Sequence, residues 1–327
     1  MREYFPNDAF ELCGCTEIRY FISRIYQLSL TAGRSALFGK IWNRGGYLIR
    51  CSLDNVTLVS STASFVSSIG ELLQNGWELV QPQSVVFRTL RDTGTSSNKV
   101  RAIFMQMYNL PGEDNQGTRI EFNPNYISVD EVVEHISFLT SCNQFRLSRL
   151  DIAFDILNEY DLHDFVIDLP RVKRNVYTSS AGKLETLYLG APKSNKRVRI
   201  YDKRLERLSA GYSELQLPSM WWRVEVQLRA DYARDWVHCV EPSLPVFVRS
   251  DSLDDSSRLI SIGFMSGSDM DFLSTKKLRT WRSKICSAQT DLRDKLVSAF
   301  NDNVHQLYTQ INTLLDNFEF ESVQVPK

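Results

Sequence analysis

A tyrosine between two basic residues is the feature of this sequence with the clearest chemical use. Arg199, Tyr201 and Lys203 alternate along a short segment that follows a turn rich in Gly, Pro and Ser. Because alternate side chains of a strand share a face, a strand here would group the three side chains. Nearby positive charge favours the phenolate of a tyrosine, and a phenolate could attack a phosphate. The same pattern also fits an exposed edge strand with ordinary solvated charges.

A second segment, RLSRLDIAFD, carries two aspartates on one face of a predicted strand. Asp151 and Asp155 share that face with a small alanine, while the opposite face is apolar. Asp is depleted in strands, and two nearby carboxylates repel each other. A divalent cation such as Mg²⁺ or Mn²⁺ would relieve both costs, since these ions prefer carboxylate oxygens. The alternative is that one aspartate pairs with a basic residue and the other faces water.

Two further predicted strands place a glutamate on a polar face. These are Glu225 in WRVEVQLR and Glu121 in TRIEFN. A single glutamate on a strand is common, so each one is weak evidence of a site when taken alone. Together the four segments predict a sheet face that carries carboxylates, cations and a tyrosine. Such a face suits phosphodiester transfer, in which a metal polarises the phosphate, a tyrosine attacks and basic groups offset the developing charge.

The segments SRLDIAFD and TLYLGAPKSNKRVRIYDKRLE together resemble the rolling-circle replication initiation factor family, also called Rep_trans. Its members include initiators of small Gram-positive plasmids, replication proteins of some filamentous phages and relaxases of some integrative conjugative elements. The resemblance covers about residues 120–229, and Ala191 stands where the family usually has a small polar residue. The matching positions come in the family's order: Arg149, Asp151, Asp155, Tyr188, Gly190, Lys193, Ser194, Arg199, Tyr201, Asp202, Lys203 and Glu206.

The resemblance implies a DNA-nicking activity. Members of the family cut one strand at an origin, become joined to the 5′ phosphate through a tyrosine, and leave a 3′ hydroxyl that primes synthesis. Carried over to this sequence, the resemblance implies that Tyr201 is the nucleophile. It implies that Asp151, Asp155 and Glu225 are ligands of a divalent metal ion, Mg²⁺ or Mn²⁺, with Glu121 a further candidate.

The resemblance also assigns roles to neighbouring residues. Lys203 and Arg199 would stabilise the scissile phosphate or lower the pKa of the tyrosine. Tyr188, on the preceding strand, would be a structural or stacking residue, and it is the main competitor for the role of nucleophile. The loop before the tyrosine strand would bind the DNA backbone through four residues: Lys193, Ser194, Lys196 and Arg197.

Composition limits the other possibilities. The 327 residues include 38 basic and 39 acidic side chains, which is not the balance of a protein that coats nucleic acid nonspecifically. None of the four histidines occurs at His-x-His spacing, so a histidine-based metal site is not expected. The six cysteines lack paired C-x₂-C spacing, which argues against structural zinc and for a reducing cytoplasm. No apolar run is long enough to span a membrane.

The pattern of helices and strands predicts an α+β fold. Its core would be a mixed, largely antiparallel sheet with helices on one face, as in nickases of the HUH class. Residues 1–240 would form the catalytic, DNA-binding domain, and residues 241–327 a mostly helical module that binds the origin or a partner. Within the first domain, residues 45–60 predict a hairpin that turns at Asp54 and Asn55. In the second, Trp281 either packs inward from a basic helix or stacks on single-stranded DNA.

The sequence therefore predicts a rolling-circle replication initiator. Expected partners are origin DNA, as a single strand or a hairpin, together with a host helicase and a second copy of the chain. Two alternatives use the same fold: a relaxase of a conjugative element, and a DNA-binding regulator without catalysis. A base-stacking sheet module is less consistent with acidic strand faces, and an unrelated metal-dependent hydrolase would not need the tyrosine strand.

Overall fold

The computed structural model describes residues 48–61, 65–92, 97–109, 116–142, 145–266 and 273–316. A ten-stranded antiparallel sheet dominates this part of the chain, with the order β2-β3-β4-β5-β1-β6-β11-β10-β9-β8. A separate two-stranded sheet pairs β7 with β12. The strands are β1 (Leu48–Ser60), β2 (Trp77–Gln81), β3 (Ser84–Asp92), β4 (Ser97–Asn109), β5 (Gln116–Phe122), β6 (Arg146–Leu157), β7 (Phe165–Asp168), β8 (Arg174–Thr178), β9 (Leu184–Leu189), β10 (Lys196–Asp202), β11 (Trp221–Arg229) and β12 (Val246–Arg249).

Helices pack against strands of the sheet, and the predicted α+β fold is confirmed. They are α1 (Ile69–Gln74), α2 (Val129–Ile136), α3 (Lys203–Ser209), α4 (Asp231–Arg234), α5 (Trp236–Cys239), α6 (Asp255–Met265), α7 (Thr275–Ser287) and α8 (Leu292–Asp316). Ser128 and Glu131 form a capping box at the start of α2, in which each side chain bonds to the other's backbone. None of the described helices is both long and apolar enough to cross a membrane.

Strands β6 and β11 lie near the middle of the large sheet and show the predicted alternation. Their apolar residues, including Ile152, Phe154 and Val224, are fully buried in the main core. Leu296 and Phe300 of α8 belong to the same core, and α8 contacts β1. The long C-terminal helix thus covers the sheet. The predicted domain boundary after residue 240 stays a prediction.

The first described strand corrects one expectation. Residues 48–60 form a single strand, so the hairpin predicted to turn at Asp54 and Asn55 is wrong. Leu53 and Asn55 pair with consecutive residues of β6, which leaves Asp54 as the extra residue of a β-bulge. Because a bulge redirects the side chain that it contains, Asp54 reaches across β6 to Arg223 on β11.

A second, smaller core lies between the two-stranded sheet and the helices α6 and α7. It contains the buried residues Val166, Val248, Trp281 and Ile285. The indole nitrogen of Trp281 donates to the Ser257 carbonyl oxygen at 3.2 Å. Of the two interpretations of this tryptophan, inward packing is therefore confirmed.

Candidate active site on the polar face of the sheet

Three neighbouring strands, β6, β11 and β10, position the candidate site. Antiparallel pairing aligns Arg199 with Glu225, and it aligns Tyr201 with Arg223, which in turn aligns with Asp155. Because directly opposed side chains on one face lie about 5 Å apart at Cβ, charged residues from distant segments meet here. The polar face predicted from alternation is thus formed by these strands.

The hydroxyl of Tyr201 lies between a carboxylate and an ammonium group. It donates a hydrogen bond of 2.7 Å to Oε1 of Glu225. Nζ of Lys203 donates to the same hydroxyl at 3.1 Å. The guanidinium carbon of Arg199 lies 3.9 Å from the centre of the Tyr201 ring, which is cation–π geometry. The tyrosine therefore has a proton acceptor and two cations in direct contact.

Burial changes the expected acidity of these groups. Tyr201 is 3 % exposed, and burial together with the charge of Glu225 raises the pKa of its phenol. The charge of Arg223 lowers this pKa, but burial outweighs it. The predicted roles of Arg199 and Lys203 stay predictions. Burial, reinforced by the charges of Arg223 and Arg207, lowers the pKa of Lys203 to about 8. A neutral tyrosine thus faces a lysine that loses its proton at a lower pH than an ordinary lysine does.

Glu225 is the acidic partner of this site. Burial raises the pKa of its carboxyl group, and the charge of Asp54 raises this pKa further. Arg199 opposes both effects and lies 3.5 Å from the second oxygen of Glu225. A carboxylate with a raised pKa is a better proton acceptor than an ordinary glutamate. Glu225 can therefore take the proton of the tyrosine to which it is bonded.

The two aspartates of β6 are each held by an arginine. Arg149 donates to Asp151 through Nε at 2.9 Å and through its terminal nitrogen at 2.5 Å. Arg223 donates to Asp155 at 2.7 and 2.8 Å, and the indole of Trp221 adds a bond of 2.6 Å. Both carboxylates thus have the two-pronged pairing that arginine forms best.

Glu121 lies apart from the tyrosine. It belongs to β5, which is separated from β6 by β1. Arg119 donates to it at 2.5 Å, Arg101 at 3.2 Å and Asn55 at 3.3 Å. Of the four predicted metal ligands, Glu225 is the one bonded to Tyr201. Asp151 aligns with Gln227, four residues along β11 from Arg223, so Asp151 and Glu121 both lie away from the tyrosine.

The predicted metal ligands do not form a metal centre as they are arranged. Among the described residues, no three His, Cys, Asp or Glu side chains lie close enough to share one ion. Each of the four predicted ligands is instead bonded to or paired with arginine: Asp151, Asp155, Glu225 and Glu121. An ion could use these oxygens only if arginine side chains moved away.

The turn before β10 holds the predicted DNA-binding residues. It starts at Gly190, whose φ of +104° is a left-handed conformation that favours glycine. Lys193 is exposed, and Ser194 and Lys196 are half-buried. The guanidinium of Arg197 lies 4.0 Å from the ring centre of Tyr188. The turn thus presents basic groups beside the second tyrosine.

Tyr188 shares the polar face but has different surroundings. It pairs with Arg199 across β9 and β10, and its ring meets Tyr177 edge to face at 5.9 Å. It is half-buried, whereas Tyr201 is buried. Within the described part of the chain its hydroxyl has no carboxylate partner comparable to Glu225.

Sequence reasoning missed two residues of this site. Arg223 bridges Asp155 and Asp54, with a bond of 2.7 Å to the latter. Its position on the same strand face as Glu225 was visible in the alternation of WRVEVQLR. Nothing in the sequence pattern indicated that Asp54 belongs to this site, because the direction of its side chain depends on the bulge in β1.

Comparisons with known proteins agree with the motif positions. Residues 145–241 match the family described as Replication initiation factor. A Replication initiation protein from Staphylococcus aureus is 30% identical over 217 residues, which cover 63% of this chain and 67% of that protein. A second protein of the same name and organism is 27% identical over the same shares.

One solved structure was also compared. It is described as a rolling circle replication initiator protein from Geobacillus stearothermophilus, and it matches 68% of this chain and 98% of its own, with 16% identity and a TM-score of 0.39. The family match spans β6, β10 and β11, the three strands that build the tyrosine site. On the strength of that match and the Staphylococcus aureus relatives, the chain belongs to the replication initiation factor family.

Proposed function

We propose that this protein starts rolling-circle replication by cutting one strand of origin DNA with a tyrosine. The cut joins the protein to the 5′ phosphate and leaves a 3′ hydroxyl that primes synthesis. The observation that carries the proposal is the Tyr201 hydroxyl, which is bonded to both Glu225 and Lys203. Membership of the replication initiation factor family supports the same conclusion.

The proposed step uses groups of the protein alone. The Tyr201 oxygen attacks the scissile phosphorus while its proton passes to Glu225, 2.7 Å away. The bond from phosphorus to the 3′ oxygen breaks, and that oxygen takes a proton from a water molecule. The hydroxide that remains is neutralised by the proton that Glu225 took from Tyr201. Lys203 and Arg199 offset the charge that develops on the phosphate, as preorganised cations do in phosphoryl transfer. The phosphotyrosine bond keeps the strand end available for rejoining.

Access to Tyr201 requires a local rearrangement. The Arg199 side chain covers the Tyr201 ring and is itself 37% exposed. A phosphate that pairs with Arg199 would draw it off the ring and occupy the space beside the hydroxyl. In this proposal, DNA binding therefore opens the site.

Tyr188 is the second candidate nucleophile, favoured by its greater exposure. It lies beside the guanidinium groups of Arg197 and Arg199, at 4.0 and 5.9 Å from its ring centre. Those cations could bind a phosphate without any rearrangement of the buried site. The chemistry would be the same, with the proton of Tyr188 passing to water.

A divalent cation, Mg²⁺ or Mn²⁺, remains part of the proposal as an aid to cutting. The predicted ligands are engaged by arginine, so no step above depends on the ion. When bound, such an ion would polarise the phosphate.

The remaining expectations are origin DNA as substrate, in single-stranded or hairpin form, a cytoplasmic location, a host helicase and a homodimer. A relaxase of a conjugative element would use the same step.

The deciding experiment is the capture of a covalent adduct. The purified chain is incubated with labelled single-stranded oligonucleotides and Mn²⁺, and adducts that survive SDS are counted. Tyr201→Phe and Tyr188→Phe are compared with Tyr308→Phe, a control on α8 that packs against the apolar core. Loss in Tyr201→Phe alone supports the leading proposal, and loss in Tyr188→Phe alone transfers the role to Tyr188. Tight DNA binding with no adduct from any origin-containing substrate would favour a non-catalytic regulator.

A further inference from the structure

Four arginines form a second basic group on the polar face, called here the arginine cluster. Its members come from four different strands: Arg119, Arg149, Arg197 and Arg229. Arg149 and Arg229 are directly opposed in the pairing of β6 with β11. Arg197 is opposed to Gln227, which places it diagonal to Arg229. Arg119 is near enough for its charge to act on Arg229.

The cluster is separate from the tyrosine site. Arg229 lies four positions beyond Glu225 on β11, which corresponds to about 13 Å along an extended strand. Both sites nevertheless share one face of the same sheet, because residues an even number apart point the same way. A single extended ligand on this face could therefore reach both.

Positive charge in the cluster exceeds the negative charge around it. Arg149 pairs with Asp151 and Arg119 pairs with Glu121. Arg197 and Arg229 have no carboxylate partner among the described residues; Arg229 instead donates to the Pro192 carbonyl at 2.8 Å and to Gln227 at 3.0 Å. Two arginines of the cluster thus have no carboxylate bonded to them.

Unfilled hydrogen-bonding capacity accompanies this charge. Nε of Arg197 and Nε of Arg119 are buried and have no hydrogen-bond partner. Burial lowers the pKa of Arg229, and the charges of Arg149, Arg197 and Arg119 lower it further, against the opposing charge of Asp151. Such a group is stabilised by an anion. Arginine forks match phosphate oxygens especially well, and all four side chains remain half-buried, within reach of a ligand.

We propose that the arginine cluster binds a second backbone phosphate of the DNA strand that is cut, more than one nucleotide along the strand from the scissile phosphate. This inference rests on the proposed function, because it assigns the second site to the same substrate. With one phosphate held by the cluster, the strand lies across the sheet and the scissile phosphate is brought to the tyrosine. The cluster is thus a positioning site, and it takes no part in bond breaking.

Binding is measured without chemistry, in the full chain that carries both Tyr201→Phe and Tyr188→Phe. The probe is a fluorescein-labelled oligothymidylate, followed by fluorescence anisotropy over a series of salt concentrations. Arg229→Gln and Arg197→Gln are the test variants. Arg249→Gln is the matched control, since this exposed arginine lies on β12 and pairs with Asp251.

Each test variant is expected to weaken binding about tenfold, as for the loss of one charge-assisted contact. The slope of log affinity against log salt should fall by about 0.7 for each lost phosphate contact. Arg229→Lys should keep the slope and lose part of the affinity, because lysine keeps the charge but lacks the planar fork. Arg249→Gln should leave both quantities unchanged.

The outcomes separate this inference from the proposed function. If Arg229→Gln and Arg197→Gln keep native circular dichroism and bind as tightly as the parent, with the same salt slope, the inference is overturned. Adduct formation by the chain with both tyrosines intact would then leave the proposed function standing. If the variants lose affinity but the intact chain forms no adduct on origin DNA, the cluster binds phosphate and the proposed cutting step fails. Failure of the parent to bind DNA at all would overturn both.

Discussion

The hydroxyl of Tyr201 donates to Glu225 across 2.7 Å, although the two residues are 24 positions apart in the chain. This bond gives Glu225 a role as proton acceptor. Glu225→Gln should therefore reduce adduct formation by about 10²- to 10⁴-fold, the range for loss of a general base. The rate of adduct formation on labelled origin DNA measures the effect. Glu214→Gln is the control and should keep the parental rate, because Glu214 is an exposed residue of a short 3-10 helix and pairs with Arg204. A Glu225→Gln rate equal to that of the control would show that the proton goes elsewhere.

The charge of Asp54 should set the pH at which Glu225 becomes active. Burial and the charge of Asp54 both raise the pKa of Glu225. Glu225 accepts a proton only when ionised, so cutting should increase as the pH rises through this pKa. Asp54→Asn removes one cause of the raised pKa, so the acidic limb of the pH–rate profile should move to lower pH.

The same variant has a structural consequence that must be separated from the pKa effect. Arg223 loses one of its two carboxylate partners but keeps Asp155. Thermal unfolding of Asp54→Asn measures the loss of stability. The position of the acidic limb is taken from rates at different pH values, each relative to the maximum rate of the same variant, so a general loss of activity does not move it. An acidic limb that stays in place would remove Asp54 from the control of Glu225.

Lys203 should make stability depend on pH in the mildly alkaline range. Burial lowers the pKa of Lys203 from 10.5 to about 8, so the unfolded chain binds more protons than the folded chain between these values. The free energy of unfolding contributed by this group therefore rises with pH there, by about 3 kcal/mol in total. Below pH 8 the buried charge opposes folding in full.

Denaturant unfolding from about pH 8 to about pH 10 tests this sign against a variant. Other groups that affect stability in this range, such as Cys51, whose pKa burial raises to about 12, are common to both proteins. The comparison is with Lys203→Met, which keeps much of the side-chain volume and cannot titrate. Its stability should rise less with pH than that of the parent. Parallel curves for the two proteins would mean that Lys203 keeps its ordinary pKa in the fold.

The sequence predicted which residues share a face better than it predicted what they touch. Alternation is a local property, so the grouping of Asp151 with Asp155 and of Arg199 with Tyr201 follows directly from strand geometry. Partners across strands depend on register, which local spacing does not contain. The pairing of Arg223 with Asp155 joins segments 68 positions apart. Because of this long-range pairing, Asp155, a predicted metal ligand, is bound by an arginine.

Burial and bulges account for the other differences. Tyr201 was expected on an exposed polar face, yet arginine and lysine side chains cover it and its exposure is only 3 %. Asp54 and Asn55 are residue types that favour a turn. They lie instead within the long strand β1, which is stabilised by pairing with β6 on one side and β5 on the other. Tertiary pairing here outweighs a local turn preference.

Metal dependence should appear only when DNA is present. Asp151 and Asp155 are held by arginines, so Mn²⁺ alone must compete with two-pronged ion pairs. A DNA phosphate can draw those arginines away and free the carboxylates. Mn²⁺ should therefore raise the thermal midpoint of the protein–oligonucleotide complex and leave that of the free protein unchanged. Excess EDTA should also slow adduct formation, because the ion would no longer polarise the phosphate. Full adduct formation in EDTA would remove the metal from the proposal.

Gly190 should be intolerant of any side chain. Its φ is +104°, and an added Cβ would lie 2.7 Å from the backbone oxygen of Lys196, which cannot move without distorting β10. Gly190→Ala should thus lower the free energy of unfolding by about 1–3 kcal/mol. Because this turn carries Lys193, DNA affinity should fall as well.

Gly70→Ala is the control for this substitution. Gly70 lies in α1 with nothing within 4 Å of its added Cβ, so stability should rise by about 0.4–1 kcal/mol. Chemical denaturation of the two variants gives both values, and equal effects of the same sign would show that the turn before β10 does not require glycine.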